Sequence, residues 1–185
     1  MAQWSTQYRE LTTSRYSALV SYAALLTGDR DSAQDLTQDA LVRTFGKPRL
    51  FPSAGHAEAY AKRAIVSLFI DGKRRRSTLM RAFARVAERG ISRDESGPVE
   101  ARDAVEAGLA ALPRHIRACV VLRFYDDLTV AEVANQLGIA HGTAKRYLSD
   151  GIAALRSSIG PGEVTVERDA SQITVRTTQP RKADS

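Results

Sequence analysis

The sequence predicts an all-α protein built as two small helical domains joined by a flexible linker. Three observations predict it. Apolar residues recur at helical spacing from Tyr16 to Leu155. A basic, polar stretch rich in Gly, Ser and Pro interrupts that pattern between about Lys73 and Pro98. From Leu128 to Leu155 the pattern reads helix, tight turn, helix. The expected division is residues 1–80, a linker at 81–100, a second domain at 101–159, and a tail at 160–185.

The first helical segment is about Arg15–Leu26, with Tyr16, Leu19, Val20, Ala23 and Leu26 on one face and Thr27-Gly28-Asp29-Arg30 ending it. The second is about Asp31–Phe45. Its inner face is Ala33, Leu36, Ala40, Leu41 and Phe45. Its outer face is a stripe of Asp35, Gln38, Asp39 and Val42, at the i, i+3, i+4, i+7 spacing of one helix side. A loop with Pro48 and Pro52 follows. The third helix, about His56–Asp71, has Ala57, Tyr60, Ala61, Ala64, Ile65, Leu68 and Phe69 on its core side. Val66 and Ile70 are apolar too, which implies a second contact surface or a meeting with the first helix. It runs into Lys73-Arg74-Arg75-Arg76. Between Lys73 and Arg93, eight basic residues face one acid, Glu88.

In the second domain, Val105, Leu109 and Leu112 define one helix. Pro113 suits the first position of the next, where Ile116, Cys119, Val120 and Phe124 are expected to pack inward. Thr129 and Glu132 form an S/T-x-x-E capping box. Val130, Val133, Ala134 and Leu137 share the face of the helix so begun. Gly138 stops it, because glycine accepts the left-handed conformation required there. The following helix starts near His141 or Gly142 and buries Ala144, Leu148, Gly151 and Leu155. Thr143, Lys145, Arg146, Ser149 and Asp150 are left facing outward. This is the pattern of a helix-turn-helix, whose second helix reads base edges in the major groove. Lys and Arg donate to guanine, and Thr serves several bases. In the tail, Val164, Val166, Ile173 and Val175 alternate with polar residues. That predicts either a small hairpin or a disordered segment, since an isolated hairpin is marginal in water.

The chain has 185 residues, with 27 Lys and Arg against 21 Asp and Glu, a net charge of +6. The basic excess favours a polyanionic partner without naming it. Cys119 is the single cysteine, so no intramolecular disulfide forms, and its apolar surroundings suggest a buried small side chain. No apolar stretch approaches a membrane span, and the first ten residues lack the plan of a signal peptide. A cytoplasmic protein with no membrane insertion is expected. His56, His115 and His141 have no metal-ligand spacing, so no metal and no cofactor are expected. The absence of a nucleophile elbow, a phosphate loop and paired catalytic carboxylates predicts no enzymatic activity.

Three stretches resemble the extracytoplasmic-function (ECF) sigma factors of bacteria, of the actinobacterial type. They are LTGDRDSAQDLTQDALVRTF, AYAKRAIVSLFIDGKRRR and LAALPRHIRACVVLRFYDDLTVAEVANQLGIAHGTAKRYLSDGIAALR. Each alone is moderately specific; their order and spacing make the signal strong. The resemblance covers roughly Arg15–Arg156, interrupted by the linker. It implies a region-two-like domain that binds core RNA polymerase and the minus-ten element, and a region-four-like domain that binds the minus-thirty-five element. The tail lies outside it. The implied partners are core polymerase, through its β′ clamp and β flap, and promoter DNA. The resemblance also allows an anti-sigma factor.

By the same resemblance, Asp35, Gln38, Asp39 and Val42 dock on the β′ coiled coil. Arg63, Ser67, Lys73, Arg74, Arg75 and Arg76 melt and hold the minus-ten element. The family usually has Asn near Ser67, which leaves the identity of the captured base open. His141, Gly142, Thr143, Lys145, Arg146 and Ser149 hold or read the minus-thirty-five element, the first two through backbone N–H groups at the helix start. Charged stripes are more often simply solvated, so the resemblance carries these roles. The competing readings are a stand-alone helix-turn-helix regulator and a helical nuclease. The basic run fits the first poorly, and the second lacks an acidic metal cluster.

Overall fold

The computed structural model describes residues 2–47, 49–83, 100–159, 163–169 and 172–178, with side chains at 5–47, 49–72 and 104–158. The chain divides into two compact units, Met1–Asp94 and Glu95–Ser185.

The N-terminal unit holds α1 (Ala2–Thr13), α2 (Tyr16–Thr27), α3 (Arg30–Phe45) and α4 (Ala54–Phe83). Asp29 caps α3, its carboxylate accepting from the Ser32 N–H at 2.7 Å, and Asp31 places negative charge in the first turn. Leu19, Tyr22, Leu26, Ala33, Ala40, Ala57, Ala61 and Ile65 are fully or almost fully buried. The alanines let α3 and α4 approach closely. Thr37 and Thr44 are buried too, each hydroxyl donating at 2.7 Å to the carbonyl one turn back, Ala33 and Ala40. That satisfies two polar groups which would otherwise be costly inside.

The excess of apolar residues on the long fourth helix has a direct explanation. α4 packs against α1, α2 and α3, so Ile65 and Val66 are both buried although they point in different directions. The helix also extends beyond Asp71, to Phe83. α1 has no counterpart in the periodicity of the sequence, because only Tyr8 and Leu11 offer it an apolar face within 5–13. Leu11 is fully buried, and Gln7 donates to the Phe51 carbonyl at 2.8 Å. This bond ties α1 to the loop between α3 and α4. There Phe51 meets Phe45 edge-on at 5.9 Å, and the Arg49 guanidinium stacks 4.5 Å above the Tyr60 ring.

The C-terminal unit holds α5 (Glu100–Ala111), α6 (Arg114–Phe124), α7 (Val130–Leu137), α8 (His141–Ile159) and an antiparallel hairpin of β1 (Glu163–Asp169) and β2 (Gln172–Thr178). In the hairpin Val166 pairs with Val175 and Glu163 with Thr178. β2 lies beside α5. Pro113 is the N-cap of α6, one position before the first turn, with φ −55° and ψ 144°. α6 packs against α7 and α8. Five consecutive residues, Ala118, Cys119, Val120, Val121 and Leu122, are buried as a result.

Phe124, expected inward, is instead exposed at 42 %. It lies in the last turn of α6, beyond the residues that α7 and α8 cover, and the Arg123 guanidinium sits 5.9 Å from its ring. Arg117 takes an inward place that the sequence pattern did not assign. Its guanidinium donates to the carbonyls of Ala110 and Leu112 and so caps the end of α5. Burial, then repulsion from Arg114, lowers its pKa from the ordinary arginine value.

Candidate nucleic-acid interface

The helix-turn-helix is assembled from local devices that fit one another. The Thr129 hydroxyl and N–H donate to the Glu132 carboxylate at 2.7 and 2.8 Å, and the Glu132 N–H returns to the hydroxyl at 3.3 Å. These bonds hold the Glu132 carboxyl below its ordinary pKa, the hydroxyl contributing most. Gly138 turns the chain at φ +64°, and its N–H reaches the Ala134 carbonyl. The Ile139 N–H shares that acceptor at 3.0 Å. Val133 and Ala134 of α7, with Ala144 and Leu148 of α8, are buried between the helices.

α8 then presents His141, Gly142, Lys145, Arg146, Ser149 and Asp150 to solvent, with Thr143 half-buried. The Arg146 guanidinium lies 5.5 Å over the Tyr147 ring, and that ring faces His115 at 6.5 Å. At Gly151, α8 lies close against α6. A Cβ there would stand 2.6 Å from Val120 Cγ2 and 2.9 Å from Ile116 Cγ2. At Gly142 a Cβ would meet nothing within 4 Å, so the start of α8 is open on that side.

In the N-terminal unit, Asp35, Gln38, Asp39 and Val42 form one exposed stripe on α3, Val42 at 70 %. The stripe borders an open groove lined by Tyr8, Tyr16, Gln38, Val42 and Phe45. On α4, Arg63 and Ser67 lie one turn apart, Arg63 exposed and Ser67 half-buried. Lys73, Arg74, Arg75 and Arg76 follow on the same helix; their side chains lie outside the described residues.

Residues 11–78 match sigma-70 region 2, and residues 108–157 match sigma-70 region 4. The chain is 30 % identical over 157 residues to the ECF RNA polymerase sigma factor SigL of Mycobacterium tuberculosis, covering 82 % of this chain and 88 % of SigL. It belongs to the ECF sigma factors. It is 29 % identical over 153 residues to the RNA polymerase sigma-E factor of Streptomyces coelicolor, covering 83 % of this chain and 86 % of that protein. In fold it resembles the sigma factor RpoE of Bartonella quintana, solved in complex with the anti-sigma factor NepR. The TM-score is 0.60 at 23 % identity, over 77 % of this chain and 89 % of that one.

As an ECF sigma factor, the chain directs promoter-specific transcription, with core RNA polymerase and promoter DNA as its partners. The stand-alone regulator is not favoured. Sigma factors are non-enzymatic initiation factors. Among the described residues, no helix is long and apolar enough to cross a membrane, and no three His, Cys, Asp or Glu side chains converge as a metal site. Sequence pattern alone missed two features of this sigma factor. One is the aromatic groove beside the α3 stripe, to which α1 and α2 contribute Tyr8, Thr12 and Tyr16. The other is a contact across α3 and α4, in which Arg43 donates to the Ser67 hydroxyl at 3.2 Å and that hydroxyl donates to Asp71 at 3.4 Å. Neither Arg43 nor Asp71 belongs to a one-helix pattern that would single it out.

Proposed function

We propose that this sigma factor reads a bipartite promoter through residues on two helices and docks on the polymerase through a third. The α8 face of Thr143, Lys145, Arg146 and Ser149 contacts bases and phosphates of the minus-thirty-five element, with the first-turn N–H groups of His141 and Gly142 on a phosphate. Arg63 and Ser67 of α4, with the basic run Lys73–Arg76, hold the melted minus-ten strand, where phosphate neutralisation and capture of an unstacked base are both required. The α3 stripe of Asp35, Gln38, Asp39 and Val42 docks on the polymerase clamp, pairing two carboxylates and an exposed valine with a basic, partly apolar partner. The protein works in the cytoplasm and has no catalytic activity of its own.

The observation that carries this reading is the exposed Lys145–Arg146–Ser149 face on a helix whose other side is locked by Ala144, Leu148 and Gly151 against the rest of its domain. A recognition helix needs that rigid backing, because base readout depends on fixed donors.

The experiment is in vitro transcription with core polymerase on templates that carry or lack each promoter element. Alanine at Arg146 should remove dependence on one minus-thirty-five position, at a cost of about 1–3 kcal/mol in discrimination. Charge reversal at Asp35 and Asp39 should weaken binding to core polymerase in an anisotropy titration. Unchanged core affinity would remove the α3 assignment, and unchanged promoter selectivity would remove the α8 one.

A further inference from the structure

The geometry around Ser67 points to a neighbouring residue, Arg43, as the reader. The Ser67 hydroxyl has one proton, and that proton is directed to the Asp71 carboxylate at 3.4 Å. One of its lone pairs accepts from Arg43 Nη1 at 3.2 Å. The hydroxyl therefore has no donor left for a base. Arg43 has spare donors: a guanidinium carries five N–H groups, and Ser67 engages only one nitrogen. Arg43 is exposed, and no ion pair to it is formed among the described residues. Asp39, one turn earlier on α3, does not draw it away.

We propose that Arg43 is a specificity-determining residue of the minus-ten interface, held in register by the Asp71–Ser67 pair and reading guanine. The proposal rests on the assignment of α4 to the minus-ten element. Its logic is directional. Asp71 orients the Ser67 hydroxyl, the hydroxyl pins one nitrogen of Arg43, and the planar fork is left with fixed donors. Such a fork matches two neighbouring acceptors in one plane, as on the O6/N7 edge of guanine. A phosphate is the poorer ligand here, because it would approach the Asp71 carboxylate and be repelled. Arg43 also follows Val42 directly in the α3 sequence, so it sits at the border between the polymerase stripe and the DNA-facing side of α4.

The test is transcription by core polymerase and the full-length chain on templates randomised across the minus-ten element, with transcripts counted by sequence. The readout is the ratio between bases at each position, which cancels any loss of folded protein or of polymerase affinity. The wild-type chain should favour guanine at one position. Arg43→Ala and Arg43→Lys should each reduce that preference roughly ten-fold and leave the other positions unchanged. Ser67→Ala should reduce it partly, by unpinning the fork. An even loss of output across all sequences, or unchanged ratios, would overturn the proposal. Arg63→Ala in the same library separates the two levels. If it disturbs minus-ten output while Arg43→Ala changes no ratio, Arg43 alone is wrong. If neither variant, nor neutralisation of Lys73–Arg76, touches minus-ten dependence, the α4 assignment falls as well.

Discussion

Gly151→Ala isolates the close approach that backs the recognition helix. The added Cβ would stand 2.6 Å from Val120 Cγ2, 2.9 Å from Ile116 Cγ2 and 3.8 Å from Leu112 Cδ1. Carbon atoms pack at about 3.5–4.0 Å, so the first two contacts are short by roughly 1 Å. Both neighbours are β-branched and stiff at χ1, and cannot swing aside as a long side chain would. Overpacking of this kind costs about 1–3 kcal/mol. Alanine in place of a mid-helix glycine recovers about 1 kcal/mol. The net expectation is a loss of about 1 kcal/mol, or about 4–8 °C in Tm for a domain of this size. Relief of the clash would tilt α8 away from α6, so affinity for a minus-thirty-five duplex should also fall. Calorimetry of the full chain reads the first quantity and fluorescence anisotropy the second. Val120→Ala identifies the relevant transition, and combined with Gly151→Ala it should cost less than the sum of the two single changes. A Gly151→Ala protein that melts higher than wild type, with unchanged DNA affinity, would refute the reasoning.

Three other outcomes follow from the same structure. Glu132 is held below its ordinary pKa of 4.5 by the Thr129 hydroxyl and N–H. The stability this adds is present above that value and is lost as pH falls through the lower folded value; Glu132→Gln, which keeps the capping box, should flatten the acid limb of a pH–Tm curve. Burial pushes the Cys119 thiol from 9.0 up to about 11. Its thiolate fraction at pH 8 is thereby about 100-fold lower, so a thiol reagent should label the native chain at least that much more slowly than the unfolded one. Arg117→Leu would strip the Ala110 and Leu112 carbonyls of their shared donor and should destabilise the C-terminal unit by about 2–3 kcal/mol, measured by urea unfolding.

The parts of the fold legible in the sequence are those made by short-range devices. The Thr129–Glu132 box, the Gly138 turn and the spacing of Ala144, Leu148 and Gly151 are each specified within a few residues, and the structure reproduces them. α1 escaped because its stability comes from contacts made far along the chain, through Leu11 in the core and Gln7 on the Phe51 carbonyl. Phe124 was misplaced because periodicity identifies an apolar face but not where the neighbouring helices stop covering it. Arg117 is the reverse case, a cation drawn inward by helix-end carbonyls that a hydropathy pattern does not reveal. The exposed stripe on α3 was readable from spacing alone. The Arg43–Ser67–Asp71 contact was not, since it joins residues 24 apart across two helices.

The most direct test of the account is run-off transcription with purified core polymerase, comparing the wild-type chain with one carrying alanine at both Lys145 and Arg146. The wild-type chain should start transcripts at defined sites that depend on both promoter elements. The double variant should retain core binding and lose dependence on the upstream element. A chain that binds DNA but confers no start-site selection on core polymerase would contradict the account, as would a double variant whose selection is unchanged.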